Sequence, residues 1–336
     1  MSAVATTAEE ILAAEVNPRR RLLGRIAVGA WALALLVYCI RIGIPFDRAG
    51  QTLWILGGFV AVAVGRPWRR MVLVLRDWAA FLVILYVYDY SRGAARLLGS
   101  TVQVAGPIAW DKALFAGTVP TTWLQQHYYD ASRIHWYDTA ASLIYITHFV
   151  LPWAIAGVLY VRNRTLWFKW ARALVTLSFS ALIVFMLMPA APPWYAANIA
   201  HLLPPVERIS TRGLDPIGLR MANQLVQQGR AVANDVAAIP SLHTAFAVMT
   251  ALFFFSLVPK RHRWWLRPLL VAYPFAMLAA LVYSGEHYVV DGIAGALFAV
   301  ATFYGLRTFD RYRERGRMAG DEGSQRLEPA AAPADP

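Results

Sequence analysis

The chain contains a series of apolar runs, and this series constrains the fold more than any other feature of the sequence. A run of about 20 residues crosses roughly 30 Å of hydrocarbon as an α-helix. Lipid offers no hydrogen-bond partners to the backbone, so runs of this length predict helices rather than open strands. The eight candidate runs are residues 26–45, 50–65, 71–91, 139–161, 166–188, 241–258, 265–283 and 287–306.

Two of the eight runs are weaker than the others. The second is short, and the third is interrupted by Arg76 and Asp77. Six or seven spans remain if these two runs form a re-entrant or interfacial pair. Of all residues, 58% are hydrophobic and 15% are charged, which excludes an ordinary soluble domain. The predicted fold class is an all-α, polytopic integral membrane protein, a bundle of about eight transmembrane helices and six at the fewest.

Basic residues form short clusters between the apolar runs. Lys and Arg number 32 against 20 Asp and Glu, a net charge of +12. Such spacing is typical of membrane-flanking loops and not of a nucleic-acid surface. With eight spans, 22 of the 32 lie on the side of the N-terminus and 10 on the other side. The bias therefore predicts that both termini are cytoplasmic and that loops 92–138 and 189–240 face outward.

Two stretches at outward helix ends carry the residues best suited to chemistry, residues 239–244 (IPSLHT) and 283–292 (YSGEHYVVDG). Between His243 and His287 the chain crosses the membrane twice, so both histidines return to one face. His287 and Asp291 are four residues apart and are predicted to share one face of the last helix, where the carboxylate can accept the proton of one ring nitrogen. The other nitrogen is then a nucleophile toward phosphorus, while His243 can protonate the departing oxygen.

Other interpretations of the same residues stay open. His243, His287 and Asp291 are also possible zinc ligands, and an i,i+4 His/Asp pair can be purely structural. Ionisable groups at membrane depth are costly, which favours the catalytic interpretation with no metal and no cofactor. The single cysteine, Cys39, excludes a disulfide framework. Free N–H groups beside Ser241, at the start of helix 241–258, predict an anion site there.

Residues 240–243 (PSLH) resemble the second signature of the phosphatidic acid phosphatase type 2 superfamily, and His287 with Asp291 resembles the end of its third. The resemblance covers residues 189–306. It implies that His287 forms a phosphohistidine intermediate, that Asp291 orients His287, and that His243 acts as acid and then as base.

The chain also departs from that superfamily, because two phosphate-binding cations are missing. The Lys and Arg-Pro of the first signature are absent, and the Ser-Arg pair of the third is replaced by Ala280 and Leu281. Together with residues 192–195 (PPWY) and the D-x-x-L-x-x-G-x-x-P-T pattern of residues 111–121, these departures resemble the branch of the fungal inositol phosphorylceramide synthases. That branch extends the resemblance to residues 76–306 and implies transfer of a phosphorylated head group.

Arginines of the outer segments are the candidates to replace the missing cations, because a guanidinium can hold two phosphate oxygens at once. The alternative is that they meet lipid head groups. Loop 189–240 contains four of them, Arg208, Arg212, Arg220 and Arg230. The predicted phosphate ligands, in order of preference, are Arg212, Arg220, Arg208 and Arg92, with Ser241 beside them.

Three further residues near the predicted site receive an interpretation. Tyr145 and His148 lie in the fourth span and are predicted to line a head-group pocket. Glu286 points about 100° away from His287 on a helix and is interpreted as a bystander. Outside the spans, residues 121–129 predict an outward amphipathic helix lying flat on the membrane, and loop 189–240 predicts a lid.

Four segments follow from these patterns. Residues 1–25 are a cytoplasmic tail without the features of a signal peptide, and residues 26–138 hold the N-terminal transmembrane helices and an outward loop. Residues 139–306 form the catalytic transmembrane core. Residues 307–336 are predicted to be a disordered cytoplasmic tail.

The sequence thus predicts a phosphotransferase of the cell membrane that moves a phosphorylated head group, phosphoinositol by branch resemblance, from a lipid donor to an acceptor hydroxyl. Its active site faces the extracytoplasmic side. A lipid phosphate phosphatase that uses water is the first alternative, and a non-catalytic lipid-binding scaffold is the second. Expected partners are a phospholipid or polyprenyl-phosphate substrate, a lipid or sugar acceptor, and membrane lipids, with no nucleic acid.

Overall fold

The computed structural model describes residues 18–42, 48–66, 68–94, 101–231 and 234–327. Within these ranges the chain is helical, and its β-type pairing is confined to isolated bridges from Ala190 to Gln103 and Ala237. The α-helices are α1 (Pro18–Arg41), α2 (Arg48–Ala63), α3 (Trp68–Ala94), α4 (Ala105–Leu114), α5 (Pro120–Tyr128), α6 (Trp136–Arg162), α7 (Arg164–Leu187), α8 (Pro193–Asn198), α9 (Arg220–Ala231), α10 (Leu242–Phe255), α11 (Arg263–Tyr283) and α12 (Val289–Leu327).

Each of the eight predicted runs corresponds to one long helix of the described chain, which confirms the all-α polytopic fold. In the described ranges, five helical segments are both long and apolar enough to cross a membrane. They are α1, α6, α7, the segment Lys260–Tyr283 and the segment Val289–Gly316. The helices α2 and α10 are apolar but shorter, and α3 is long but carries charges.

The helix α3 runs through Arg76 and Asp77 without a break. Asp77 is 6% exposed. Its carboxylate accepts hydrogen bonds from Arg164 Nε at 2.7 Å and from the Tyr160 hydroxyl at 3.2 Å, and Arg76 Nη2 lies 3.1 Å away. A buried charge with these partners does not have to reach water. The pair therefore interrupts the apolar pattern but not the helix.

A large apolar core lies around α7. Trp78 of α3 packs against Trp167, and both are 1% exposed, while Trp170 is fully buried. The same core includes Ala245 of α10 and Ala299 of α12. Small side chains at these two positions let α10 and α12 pack closely, and these are the helices that carry His243 and Asp291.

The outer segments are folded against the bundle. The predicted amphipathic helix is observed as α5, in which Trp123 and Tyr128 are exposed and Gln125 is buried. In the lid, a Cβ added to Gly213 would lie 2.4 Å from the carbonyl oxygen of Asp138. The Gly213 N–H donates to Ser142 Oγ at 3.1 Å. Glycine at this position thus lets the lid contact α6 directly.

The last helix, α12, has 39 residues and a length of about 58 Å at 1.5 Å per residue. This is nearly twice the hydrocarbon thickness of a bilayer. Residues 307–327 continue α12 as a helix, where the sequence predicts a disordered tail. Residues 1–17 and 328–336 of the two predicted tails lie outside the described residues.

Candidate active site

His287 and Asp291 form a buried pair at the start of α12. His287 Nδ1 lies 3.2 Å from Asp291 Oδ2, and the two residues are 6% and 0% exposed. The helix begins only at Val289, so the sequence prediction that both residues share a face of the helix is wrong. The pair forms because the Asp291 carboxylate turns back over the helix start, where it also accepts the Tyr288 N–H at 2.9 Å. An N–H donated from Nδ1 leaves the lone pair on Nε2 of His287.

His243 lies in the first turn of α10 and faces this pair. Its ring centroid is 5.5 Å from that of His287, with an interplanar angle of 63°. On its other side it stacks on Tyr145 at 5.2 Å and contacts the ring of His148 at 4.0 Å. The structure therefore brings the two histidines together, with both predicted pocket residues of α6 behind His243.

The two motifs are joined by backbone contacts between α10 and α12. The Ser241 N–H donates to the Asp291 carbonyl oxygen at 3.0 Å, and a Cβ on Gly295 would lie 2.3 Å from the Ser241 carbonyl oxygen. Ser241 itself is fully buried and caps α10, since its Oγ accepts the Thr244 N–H at 3.4 Å. The hydroxyl predicted to bind phosphate is thus engaged in capping.

Asp111 of α4 caps the helix that carries Asp291. It is fully buried, and its two carboxylate oxygens accept the N–H groups of Val289 at 3.2 Å and Val290 at 3.0 Å. Burial raises the pKa of Asp111 to about 6, an increase that these N–H groups oppose and the charge of Asp291 supports. The first N–H groups of a helix lack partners within it. Asp111 therefore fixes the turn that positions His287, a role for which its sequence pattern provided no assignment.

Glu286 holds two arginines beside His287. It is 6% exposed. Arg208 Nε lies 3.0 and 3.1 Å from its two carboxylate oxygens, Arg230 Nη2 lies 2.7 Å from Oε1, and Ser210 Oγ donates to Oε1. Burial raises the pKa of Glu286, but Arg230 and Arg208 outweigh it and hold the pKa below its ordinary value. The residue interpreted as a bystander is thus a buried anion that binds two partly buried arginines.

The segment that carries Arg208 is fastened to the turn before His287. The Ile209 N–H donates to the Ser284 carbonyl oxygen at 3.1 Å. Gly285 has φ +77°, and a Cβ there would lie 2.8 Å from the Glu207 carbonyl oxygen. Gln125 of α5 clamps the same place, with its Nε2 donating to Glu207 O at 2.8 Å and its Oε1 accepting the Glu207 N–H at 2.8 Å. These contacts fix the backbone on both sides of Arg208.

Aromatic rings support the two guanidinium groups. The Arg208 guanidinium carbon lies 4.8 Å from the centroid of the Trp194 ring, and that of Arg230 lies 5.8 Å from the Tyr145 ring. Both distances are within the range of cation–π attraction. Tyr145 thus contacts both His243 and Arg230 and links the histidine pair to the arginines.

Arg212, the first choice of the sequence analysis, contacts a different part of the protein. Its Nη2 donates to the carbonyl oxygens of Asp130 at 2.7 Å and Arg133 at 2.9 Å. Its guanidinium carbon lies 4.7 Å from the centroid of the Tyr129 ring. Arg212 thus holds the lid to the loop before α6 and lies outside the group formed around Glu286.

The other predicted arginines have different positions. Arg220 is exposed at the first residue of α9, and the side chain of Arg92 lies outside the described residues. The pair beside His287 consists of Arg208, third in the predicted order, and Arg230, absent from it. Interpreting Glu286 as a buried ion would have predicted that arginines of the loop bind it, although not which of them.

Within the described residues, no three His, Cys, Asp or Glu side chains are arranged as a metal site. The zinc interpretation rested on His243, His287 and Asp291. In the structure, Asp291 instead binds the Nδ1 edge of His287, which is the contact that orients an imidazole for its other nitrogen to react.

Comparison with known proteins agrees with the arrangement of the two histidine motifs. Residues 108–305 match the family described as the PAP2 superfamily. The chain is 26% identical over 303 residues to a phosphoinositol dihydroceramide synthase of Bacteroides thetaiotaomicron, a match that covers 84% of this chain and 94% of that protein.

Fungal relatives match a smaller region. The chain is 32% identical over 174 residues to the inositol phosphorylceramide synthase catalytic subunit of Saccharomyces cerevisiae, and 29% identical over 171 residues to the inositol phosphorylceramide synthase of Candida albicans. Each match covers 49% of this chain but only 41% and 35% of the fungal proteins. No solved structure matches the chain. The family match covers more than half of the chain and includes both histidine motifs. The chain therefore belongs to the PAP2 superfamily and is a membrane-embedded lipid phosphotransferase or phosphatase.

Proposed function

We propose that this protein transfers a phosphoinositol group from a phosphodiester lipid to the hydroxyl of a ceramide-type acceptor. The observation that carries the proposal is the convergence of His243 and His287, whose ring centroids are 5.5 Å apart, with two partly buried arginines bound to Glu286, the residue before His287. The relatives named as phosphoinositol dihydroceramide synthase and inositol phosphorylceramide synthase support phosphoinositol as the group and a ceramide as the acceptor.

In the first step, His287 Nε2 attacks the phosphorus and forms a P–N bond. The P–O bond to the diacylglycerol moiety breaks, and the oxygen of this moiety takes a proton from His243. Diacylglycerol then leaves as the neutral alcohol. Asp291 accepts the hydrogen bond from Nδ1–H throughout and so stabilises the positive charge that develops on the His287 ring. The attraction between the Asp291 carboxylate and the charged ring is strong because the carboxylate is buried and water is excluded from it.

In the second step, the acceptor hydroxyl attacks the phosphorus of the phosphohistidine. His243, now neutral, removes the hydroxyl proton and returns to its initial state, and the P–N bond breaks to restore His287. Three aromatic rings lie close to His243, those of Tyr145, His148 and Phe149. Their bulk leaves less room for water beside His243, which favours transfer over hydrolysis.

Arg208 and Arg230 bind the phosphoryl oxygens in this proposal. Transferring phosphoryl groups need positive charge directed at their non-bridging oxygens. Glu286, the residue before His287 in the chain, binds both guanidinium groups, so the charge is in place before the substrate arrives. These two arginines would take the role of the cations that are missing from the superfamily signatures.

The proposal is tested with purified protein in liposomes that contain phosphatidylinositol, radiolabelled in the inositol ring, and ceramide. We expect a labelled phosphoceramide product and an acid-labile phosphoenzyme that is absent from His287→Ala. Released inositol phosphate without a labelled lipid would identify a phosphodiesterase, whereas phosphate released only from phosphatidate would identify the phosphatase alternative. If the activity of His287→Ala equals that of the unmodified protein, the non-catalytic lipid-binding scaffold is the remaining interpretation.

We further propose that both termini are cytoplasmic and that the site opens on the extracytoplasmic side, as the distribution of Lys and Arg predicts. Cys39 is the single cysteine, so Cys39→Ser provides a background free of thiols. In this background, cysteines placed at exposed Arg220 and at exposed Arg315 report the two sides. Labelling of intact cells by a membrane-impermeant maleimide is expected at position 220 and not at position 315, and the reverse result would invert the topology.

A further inference from the structure

Arg208, Arg230 and Glu286 form one charged group, and its net charge is lower than the two arginines alone would give. Arg208 and Arg230 provide two positive charges, and the Glu286 carboxylate, 6% exposed, removes one. Asp235 is a weaker, outer partner, 3.8 Å from Arg208 and 40% exposed. The Asp291 carboxylate is directed to His287 Nδ1 and to the Tyr288 N–H. The group formed by Arg208, Arg230 and Glu286 therefore has a net charge of +1.

Glu286 does not consume all the donors of the two arginines. A guanidinium has five N–H donors. Arg208 uses Nε and Nη2 for Glu286, and Arg230 uses Nη2 for Glu286 and Ser210 and Nη1 for Gln227. Arg230 Nε is buried without a hydrogen-bond partner. Donors thus remain for an anion while Glu286 stays bound.

We infer that Glu286 sets the substrate charge that this site accepts, favouring monoanionic phosphodiesters over dianionic phosphomonoesters. A phosphodiester has one negative charge at neutral pH, which the net charge of +1 balances. A phosphomonoester has close to two, and the second would lie unbalanced near a buried carboxylate. In a low-dielectric site, such an imbalance is costly. The inference rests on the proposed function and deepens it, since it explains which class of lipid phosphate the cation pair selects.

The test compares two lipids that differ by one methyl group and one charge, phosphatidate and phosphatidylmethanol with identical short acyl chains. Binding is measured by calorimetry in detergent at pH 8, with full-length protein carrying His287→Asn so that neither lipid is turned over. The variants added to this background are Glu286→Gln, which keeps the side-chain shape, and Asp235→Asn. The matched control is Asp215→Asn, which removes one charge from the same lid where Asp215 contacts Asn223 rather than the arginines.

We expect the background protein to bind phosphatidylmethanol about tenfold or more tightly than phosphatidate. Glu286→Gln should remove or reverse this preference, a change of about tenfold in the ratio of the two dissociation constants. Asp235→Asn, being partly exposed, should change the ratio in the same direction by about twofold to threefold. Asp215→Asn should leave the ratio unchanged.

One outcome overturns the inference, a ratio in Glu286→Gln that equals the ratio in Asp215→Asn. If both lipids then bind more weakly by the same factor, Glu286 only holds the arginines in place. If Glu286→Gln does not yield a monodisperse protein, Asp235→Asn decides, and an unchanged ratio in that variant counts against the inference. The proposed function fails separately, by absence of phosphoinositol transfer in the liposome assay with the unmodified protein.

Discussion

The rings of His243 and His287 lie 5.5 Å apart at an angle of 63°, although 43 residues and two helices separate them in the chain. An in-line displacement at phosphorus needs the nucleophile and the proton donor on opposite sides of the reacting atom. Asp291 binds the Nδ1 edge of His287, while His243 lies against the ring face of Tyr145. The two imidazoles thus have different partners, which is what different roles require.

The first prediction separates these roles by changing the leaving group. His243→Ala should reduce transfer from phosphatidylinositol at least about 10²-fold, because the alkoxide then leaves unprotonated. With a p-nitrophenyl phosphodiester lipid, whose leaving group needs no proton, the loss should be much smaller. His287→Ala should be inactive on both substrates, because both need the nucleophile. Because His243 is also the proposed base of the second step, the measurement is the rate of leaving-group release in a single turnover, and equal losses of His243→Ala on the two substrates in that measurement would remove the acid role.

The second prediction concerns the arginine pair. Arg208→Ala and Arg230→Ala should each reduce kcat/KM for head-group transfer about 10²- to 10³-fold, because each removes charge directed at the phosphoryl oxygens. Arg220→Ala is the matched control, since Arg220 is exposed on the same lid, and should retain activity. Arg212→Ala should lower the unfolding temperature, because its loop contacts are lost. Its kcat/KM should fall less than that of Arg208→Ala or Arg230→Ala. A normal kcat/KM in folded Arg230→Ala would exclude Arg230 from the site.

A third prediction tests the contact that joins the two motifs. A Cβ at position 295 would lie 2.3 Å from the Ser241 carbonyl oxygen, whereas one at Gly305, on the same helix, has nothing within 4 Å. Gly295→Ala should therefore destabilise the protein by about 1–3 kcal/mol and reduce kcat by separating His243 from His287. Gly305→Ala should be neutral or stabilising by up to about 1 kcal/mol, since alanine favours a helix. Thermal unfolding in detergent and initial rates give both quantities. Similar behaviour of the two variants would contradict the proposed role of the Ser241–Gly295 contact.

The helices and the meeting of the two histidines were predictable from the sequence. An apolar run of bilayer length is a local property, and the parity of two crossings places His243 and His287 on one face whatever the packing. The start of the last helix was not predictable in this way. Its cap is Asp111, 178 residues before Val289, and no local pattern near His287 announces it.

Which arginines lie at Glu286 depends on non-local contacts as well. The lid position is determined by Gly213 against Asp138 and by Gln125 against Glu207, and these contacts join different segments of the chain. Spacing along the lid cannot rank its arginines without them. Glu286 was interpreted from the geometry of a regular helix, but it precedes α12, so its direction could not be derived from helical periodicity.

The last prediction follows from the cap that Asp111 places on α12. The pKa of Asp111 is about 6 in the folded protein against 3.8 for an unperturbed carboxyl. Because the folded value is raised, the folded state binds this proton more tightly. The stability that the protonated Asp111 carboxyl contributes is complete below about pH 3.8 and is lost as the pH rises through about 6. Asp111→Asn has no such proton, so the unfolding temperature of the variant minus that of the unmodified protein should increase between pH 4 and pH 7. A difference that stays constant over this range would show that Asp111 does not titrate in the folded protein.

At pH 8, we also expect Asp111→Asn to lower kcat with little change in KM, because the amide can replace only one of the two acceptors that fix the turn of His287.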